Sequence, residues 1–312
     1  MYISDREIER IVFKSLGYLV NSITRFNSGD CHYVYDVKTD KKDIVIRFSS
    51  EDNFDYLKGA KYWLNVLKQA DIKVPEVLYI NSNLKDYKYY FMIIERFSGC
   101  DIGYVYPDLS TNQKRDIACD LVSIQNKVAK VSTSKYPGKK FLPTDKLKAQ
   151  NWYDYITDIS DIAYKIEDKS LFDFGKIYEF ERRALKYKDT LNNVTINAYL
   201  DDIAMKNVIV DRGNFTGVVD IDYLSYGDNL MAVAYMKMWI LKNGYDLDYI
   251  DFWIYEMNIT PEQSKLLDLY TLRYCLEFMS EVGDSYLMNN KLDYKPLIDR
   301  LNLLYDDLKR KI

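Results

Sequence analysis

The stretch AYLDDIAMKNVIVDRGNFTGVVDID, residues 198–222, places acidic and amide side chains where short apolar runs end. Asp202 is followed five residues later by Asn207, and the apolar run NVIVD begins at that asparagine. An Arg212-Gly213-Asn214 turn and a second apolar run then lead to Asp220. Two apolar runs that bracket a turn predict a strand hairpin. Its geometry lets Asp202, Asn207 and Asp220 face one point.

These three side chains match the needs of in-line phosphoryl transfer. That reaction uses a carboxylate that accepts the hydroxyl proton, together with an amide oxygen and a second carboxylate that hold Mg²⁺ on the phosphates. A D-x-x-x-x-N loop followed by a strand-borne Asp supplies all three groups. The alternative is an acidic hairpin whose carboxylates only cap turns, because D-x-x-x-x-N alone also occurs by chance in acidic chains.

The sequence before this stretch changes near residue 97 from mainly strand-like runs to mainly helical patterns. Ser4, with Glu7 three residues on, predicts a first helix, and FDYLKGAKYWLNVLKQA has a helical apolar period. Residues 98–312 read mainly as helices, four of them after residue 228. We therefore predict an α+β fold with a β-rich unit, 1–97, and a helical unit, 98–312. The β-rich runs of the first unit are SITRF, YVYDVKT, DIVIRFS, EVLYINS and YYFMIIERF, which predict a five-stranded antiparallel sheet.

Composition excludes several functional classes. The chain has one histidine, His32, whereas Ser-His-Asp hydrolysis and His-rich zinc sites need imidazole at their centre. Four cysteines without a C-x-x-C pair predict free thiols in a reducing cytoplasm. A net charge of −4 without a basic tract argues against nucleic acid as a partner. No apolar run approaches the span of a bilayer, and the charged N-terminus is unlike a signal peptide.

At this point the chain resembles the aminoglycoside phosphotransferase and choline kinase-like family, a branch of the protein-kinase-like fold. Members commonly read H-G-D-x-x-x-x-N-v-l-v, then G-v-I-D-[FW]-x-D, then a Y-G-D turn. The matching segments here are 200–210, 217–222 and 226–228. The resemblance implies a bilobal fold in which Asp202 is the catalytic base. It also implies Asn207 and Asp220 as Mg²⁺ ligands, with Asp222 as an acidic residue behind the metal.

The resemblance extends to a nucleotide site for ATP or GTP in the first 97 residues. Ser28 and Gly29 lie where the family has its glycine-rich loop, although an ordinary hairpin turn is an equal alternative. Arg47 matches the strand cation that pairs with the α- and β-phosphates, and its alternative is an exposed strand residue. Glu95 and Phe97 fall in the hinge run, where adenine would bond to main-chain groups.

Several positions depart from the family pattern. Leu200 replaces the loop histidine, and Ile124-Gln125 replaces the Leu-His end of the first large-lobe helix. The helix glutamate that would pair with Arg47 falls near Ala60, which leaves Asp55 or Glu51 as substitutes. Ala204 and Ala232 stand at two further positions where the family has histidine and an acidic residue. These changes weaken the anchoring of phosphate and loop but leave the three central residues in place.

The acceptor substrate is predicted from acidic residues in the helical unit. Carboxylates beside aromatic walls suit small cationic substrates, with aminoglycosides as the first choice. Choline, ethanolamine or another metabolite is an alternative acceptor. A kinase-like binding module without turnover is the alternative from a different class. We expect a monomer or homodimer. The candidate substrate residues are Asp222, Asp248, Asp251, Glu277 and Glu281.

Overall fold

The structure is a computed structural model that describes residues 3–26, 33–284 and 294–312. Its N-terminal part is one antiparallel sheet of five strands in the order β1-β2-β3-β5-β4. This sheet and the helical remainder confirm the predicted α+β fold, whereas the division of the chain at residue 97 stays a prediction. The elements are α1 (Asp5–Leu16), β1 (Val20–Arg25), β2 (Tyr33–Thr39), β3 (Ile44–Ser49), α2 (Phe54–Gln69), β4 (Val77–Asn81) and β5 (Tyr90–Glu95).

The central strand β3 is buried on both faces of the sheet. Ile44, Ile46 and Phe48 point to one face, where they form a small core with the apolar side of α1. Successive side chains of a strand point to opposite faces, so Arg47 lies on the face turned toward α2. Arg47 is only 4% exposed. Its burial already distinguishes it from the exposed strand cation that was the alternative.

The helical part follows β5 and contains two small three-stranded sheets. One has the order β10-β9-β6 and the other β7-β11-β8. Between the described residues 98 and 312, four helices follow β11, as the sequence predicts. The elements are β6 (Cys100–Asp101), α3 (Ile102–Val105), α4 (Thr111–Val128), β7 (Gly138–Lys140), α5 (Trp152–Thr157), α6 (Ser160–Lys169), α7 (Gly175–Lys186), α8 (Lys188–Asn192), β8 (Asn197–Tyr199), β9 (Val208–Asp211), β10 (Asn214–Val218), β11 (Leu224–Gly227), α9 (Leu230–Asn243), α10 (Asp248–Met257), α11 (Pro261–Glu281) and α12 (Lys295–Lys309).

The predicted hairpin is formed by β9 and β10. Arg212 and Gly213 both have positive φ, 52° and 79°, and connect the paired residues Asp211 and Asn214 as a two-residue turn. Positive φ at both central residues is the geometry whose twist suits adjoining antiparallel strands. β10 ends at Val218, however, so the second strand is shorter than the apolar run to residue 222 predicts. Among the described helices, none is both long and apolar enough to cross a membrane.

Helix α2 packs directly on the main chain that follows β10. A Cβ built on Gly59 would lie 2.1 Å from the carbonyl oxygen of Asp222 and 3.2 Å from that of Phe141. Both neighbours are backbone atoms, which cannot rotate away as the end of a side chain can. The absence of a side chain at Gly59 therefore sets how closely α2, and the sheet behind it, approaches the segment with Asp220 and Asp222.

Replacing this glycine tests the close approach. Gly59→Ala is expected to lower the free energy of unfolding by about 1–3 kcal/mol, because the added methyl group forces the helix and Asp222 apart. Urea unfolding followed by tryptophan fluorescence measures the change. Gly175→Ala is the control, since a Cβ there meets only the flexible Asp173 carboxylate at 3.2 Å. Equal stability of the two variants would contradict the packing argument.

Candidate functional site

The loop between β8 and β9 folds around Asn207, as the D-x-x-x-x-N pattern predicts. Asn207 is 3% exposed, and its side-chain Nδ2 donates to the main-chain oxygen of Asp202 at 2.8 Å. The main-chain N–H of Val219 donates to the Asn207 carbonyl at 2.9 Å. This second bond brings the neighbouring residue, Asp220, to the same loop. The three predicted residues therefore lie together, and the Asn207 amide keeps its Oδ1 as an acceptor.

Asp202 is the carboxylate of this loop that lacks a partner. Its Oδ1 is buried and has no hydrogen bond within the described part of the chain. Burial raises the pKa of Asp202 to about 6; Lys206 and Lys139 oppose the shift, while the carboxylates of Asp201 and Asp220 add to it. A carboxylate with a pKa close to neutral, and an oxygen free to accept, is suited to general-base chemistry.

Asp220 sits at a sharp bend immediately after β10. Its φ is 63°, in the left-handed region that residues other than glycine seldom occupy. Such a conformation persists where the surroundings enforce it, and it is common at functional sites. The bend ends the strand, and 46% of the Asp220 side chain stays exposed. The carboxylate is therefore accessible to a ligand from solvent.

Arg47 pairs with the acidic residues that follow β10. Its Nη2 lies 2.8 Å from Oδ1 and 3.0 Å from Oδ2 of Asp222, and 3.2 Å from Oδ1 of Asp220. Asp55, a substitute partner considered from the sequence, instead binds Lys58 at 2.7 Å. Asp222 therefore serves as the carboxylate partner that the sequence pattern left unassigned. The ion pair also fastens β3 to the segment beside the loop.

The remaining nucleotide candidates are placed less completely. Ser28 and Gly29 lie outside the described residues. Glu95 ends β5, and its carboxylate binds Lys42 at 3.1 Å, while its N–H donates to the Glu76 carbonyl. The Phe97 ring lies on β10, since a Cβ on Gly217 would be 2.2 Å from its Cε2. Phe97 thus connects the sheet to the β9–β10 hairpin, and a contact between the hinge and adenine stays a prediction.

Sequence reasoning missed Lys139 on the other side of the loop. Its Nζ lies 2.8 Å from Oδ2 of Asp201 and donates to the Tyr223 hydroxyl at 2.8 Å. Although 45% of the Lys139 side chain is exposed, partial desolvation of its ammonium opposes the charged form, and the charge of Asp201 outweighs this and raises the pKa of Lys139 well above its usual range. Lys139 belongs to β7, a strand of three residues, which is too short to give a recognisable alternation. The acidic Asp201 in the loop was the one signal that a cation must be near.

Two of the predicted substrate residues line a cavity of about 300 Å³ between α6 and α11. Glu277 and Glu281 contribute carboxylates to it, and Arg273 binds Glu277 at 3.0 Å. Burial raises the pKa of the Tyr235 hydroxyl, and the charges of Asp202, Glu281 and Glu277 raise it further. The other lining residues are Asp158, Ile159, Ser160, Asp161, Ile162, Lys165 and Ser280.

The other two helix candidates lie elsewhere. Asp248 and Asp251 are exposed in the first turn of α10, a helix that packs on α4. Nearby, Asp246 binds the buried Lys114 at 2.7 Å. Within the described ranges neither residue lines the cavity, so their role in binding the acceptor stays a prediction.

Comparisons with known proteins give the family and the fold of the chain. A family model described as the phosphotransferase enzyme family matches residues 22–256. The chain belongs to this family. No match was found among curated proteins.

Solved structures of phosphotransferases share the fold of this family member. The apo form of a thermostable mutant of aminoglycoside phosphotransferase APH(4)-Ia is 19% identical, with a TM-score of 0.70 over 96% of this chain and 98% of that one. A ternary complex of APH(4)-Ia with ADP and hygromycin B is 18% identical, with a TM-score of 0.69 over 97% of this chain and 98% of that one. The streptomycin–ATP complex of APH(2″)-IIa is 15% identical, with a TM-score of 0.67 over 100% of this chain and 99% of that one. The predicted protein-kinase-like fold is thereby confirmed.

Removing the Arg47 partner tests how far the fold depends on this ion pair. Asp222→Ala is expected to lower the free energy of unfolding by about 3 kcal/mol, because a buried guanidinium loses its closest carboxylate. Asp43→Ala is the control: its pair with Lys38 has a similar 2.9 Å length, but 46% and 42% of the two side chains are exposed. That change is expected to cost less than about 1 kcal/mol in urea unfolding. Similar losses in both variants would count against a structural role for the buried pair.

Proposed function

We propose that this phosphotransferase-family chain is a Mg²⁺-dependent small-molecule kinase that moves the γ-phosphate of ATP or GTP to a substrate hydroxyl. The observation that carries the proposal is the unpartnered buried Oδ1 of Asp202 in a loop that also holds Asn207 and Asp220. An acidic hairpin whose carboxylates only cap turns is expected to bond its buried oxygens, since most buried polar groups are hydrogen-bonded.

In this mechanism Asp202 accepts the proton of the attacking hydroxyl. Arg47 is held in place by its ion pair with Asp222 and directs its positive charge toward the phosphate chain. Phosphoryl transfer depends chiefly on such positioning and on electrostatic stabilisation of the transferred group.

The donor set fits Mg²⁺ bound together with a nucleotide. Asn207 Oδ1 and the accessible Asp220 carboxylate are hard oxygen donors, and Mg²⁺ commonly takes one or two protein ligands plus phosphates and water. Within the described ranges no cluster of three or more His, Cys, Asp or Glu residues is present that could hold a metal by itself. Asn207 and Asp220 would hold the ion, which neutralises charge on the phosphates.

The acceptor that fits the cavity best is a small cationic molecule, with an aminoglycoside as first choice. Within the described ranges Glu281 has no ion pair, whereas Glu277 is neutralised by Arg273. The charges of Lys242 and Lys165 act on Glu281 without forming an ion pair within the described ranges, so its half-buried carboxylate stays available to an ammonium group. The similar structures solved with hygromycin B and with streptomycin support this choice. Choline, ethanolamine and other amino alcohols remain competing acceptors.

We also propose a reducing compartment such as the cytoplasm, which the free thiols of Cys100, Cys119 and Cys275 support.

A screen for nucleotide consumption separates the enzyme from a catalytically silent binding module. ATP and GTP are offered with aminoglycosides, macrolides, choline, ethanolamine, homoserine and amino sugars. Turnover with one class identifies the acceptor. Binding of Mg²⁺ and ADP without turnover on any compound would favour the binding module.

The base assignment is tested by Asp202→Asn. This change keeps the size of the side chain but removes the proton acceptor, so kcat is expected to fall by roughly 10²–10⁴-fold while nucleotide affinity changes little. Asp211→Asn, at the other end of β9, serves as the control and should keep its activity. Steady-state rates and ADP titration calorimetry give the two quantities. Turnover of Asp202→Asn close to the wild-type rate would refute the assignment.

The acceptor site is tested by Glu281→Gln. Loss of a charge-assisted hydrogen bond is expected to weaken binding of the best aminoglycoside by about tenfold or more, since such bonds contribute about 1.5–3 kcal/mol. Glu262→Gln, in the exposed first turn of the same helix, is the matched control. Titration calorimetry measures both affinities.

The same site predicts a dependence on pH. Burial, with a further contribution from Glu277, raises the pKa of Glu281, so the carboxylate gains a proton at milder acidity than an ordinary glutamate. Cation affinity of the wild type should therefore begin to fall at a higher pH than the titration of an ordinary glutamate would cause, and should fall less in Glu281→Gln. Equal pH dependence of the two proteins would exclude Glu281 as the cation anchor.

A further inference from the structure

Gln125 makes a two-point contact with the main chain just before Asp202. Its Nε2 donates to the carbonyl of Leu200 at 2.8 Å, and the Leu200 N–H donates to its Oε1 at 3.0 Å. Gln125 is only 3% exposed and belongs to α4, a helix that also contacts β8. A side-chain amide that satisfies both groups of one residue fixes that peptide in position and orientation.

Lys139 holds the next residue along the loop. Its Nζ binds the Asp201 carboxylate at 2.8 Å, and the same ammonium donates to the Tyr223 hydroxyl. Only 12% of the Asp201 side chain is exposed, so this carboxylate is inside the site rather than on its surface. Lys139 comes from β7, which pairs with β11, and is thus independent of α4. The two contacts therefore reach the loop from two separate elements.

Asp202 needs such support because its own side chain makes few contacts that would hold it in position. Its Oδ1 has no hydrogen bond within the described residues, and the buried Leu200 side chain is apolar. Gln125 and Lys139 contact the two residues immediately before Asp202, whereas Asn207 contacts its carbonyl from the other side. The position of the carboxylate is consequently set through the main chain.

We propose that Gln125 and Lys139 are positioning residues that together hold Asp202 in its reactive position. The proposal rests on the proposed function of Asp202 as the base. Neither residue needs to touch the substrate. Each acts by restricting the backbone of the loop before Asp202, from the α4 side and from the β7 side.

The kinetic test compares Gln125→Met and Lys139→Met with the wild type. Misplacing a reacting group by about 1 Å can cost roughly 100-fold in rate, so kcat is expected to fall by about 10- to 100-fold in each variant. Nucleotide affinity should stay within about twofold, because neither residue lies on the predicted nucleotide side. Lys139→Arg keeps a cation opposite Asp201 and is expected to restore most of kcat.

Lys237→Met provides the control for a general loss of stability. Lys237 is 7% exposed and binds Asp268 at 2.8 Å, the same length as the Lys139–Asp201 pair, but it joins α9 to α11. It should lower the melting temperature and leave kcat close to the wild-type value. A kcat within twofold of the wild type in both Met variants overturns the proposal. The proposal is also overturned if Lys237→Met, at a similar loss of melting temperature, loses as much kcat as the two variants do.

Hydrogen exchange gives a second measurement that needs no activity. The Leu200 amide, followed in peptides that span residues 197–208, should exchange at least about tenfold faster in Gln125→Met than in the wild type or Lys237→Met. Unchanged exchange overturns the proposal whatever the kinetics show. Faster exchange in a protein whose wild type transfers no phosphate would refute the proposed function alone and support the restraint on the loop.

Discussion

Four carboxylates gather at one hairpin, and their mutual repulsion is the constraint that the surrounding structure answers. Asp201 and Asp202 lie in the loop before β9, and Asp220 and Asp222 follow β10. The fold brings one cation from each side: Arg47 from the central strand of the large sheet and Lys139 from β7. The bare backbone of Gly59 brings α2 onto the Asp222 main chain beside the first of these pairs. The join between sheet and helices is therefore built around compensation of charge.

Asp202 is the member of this group that receives no ion pair within the described residues. Burial raises the pKa of Asp222 and Arg47 opposes that rise, whereas no guanidinium binds Asp202 in the described ranges and burial raises its pKa to about 6. A cation that held the Asp202 carboxylate in place would therefore also make it a weaker base. The fold avoids this conflict, because the side-chain oxygen stays free while Asn207 holds the carbonyl of the same residue.

Local patterns in the sequence predicted the sheet, the hairpin and the three loop residues, because alternation and turn chemistry act over a few neighbours. The partner of Arg47 could not be predicted this way, since Asp222 lies 175 residues further along the chain. The same limit hid Lys139 on a strand of three residues. Helices α5 and α6 are separated at Asp158 and Ile159, where no glycine or proline marks the break. Of the acidic helix candidates, Glu277 and Glu281 reach a cavity, whereas Asp248 and Asp251 face solvent on α10.

The two carboxylates bound to Arg47 are not equivalent, and the difference bears on the phosphate binding that we propose for this site. Asp222 is nearer, at 2.8 Å, and 11% of its side chain is exposed, whereas Asp220 is at 3.2 Å and 46% exposed. Asp222 is thus the permanent partner, and Asp220 is free to exchange Arg47 for another cation. With all four carboxylates ionised, two paired cations leave two negative charges uncompensated, which by itself repels a nucleotide. Asp220 and Asn207 would hold the proposed Mg²⁺, whose charge would compensate that repulsion, while Asp222 keeps Arg47 in place beside the phosphates.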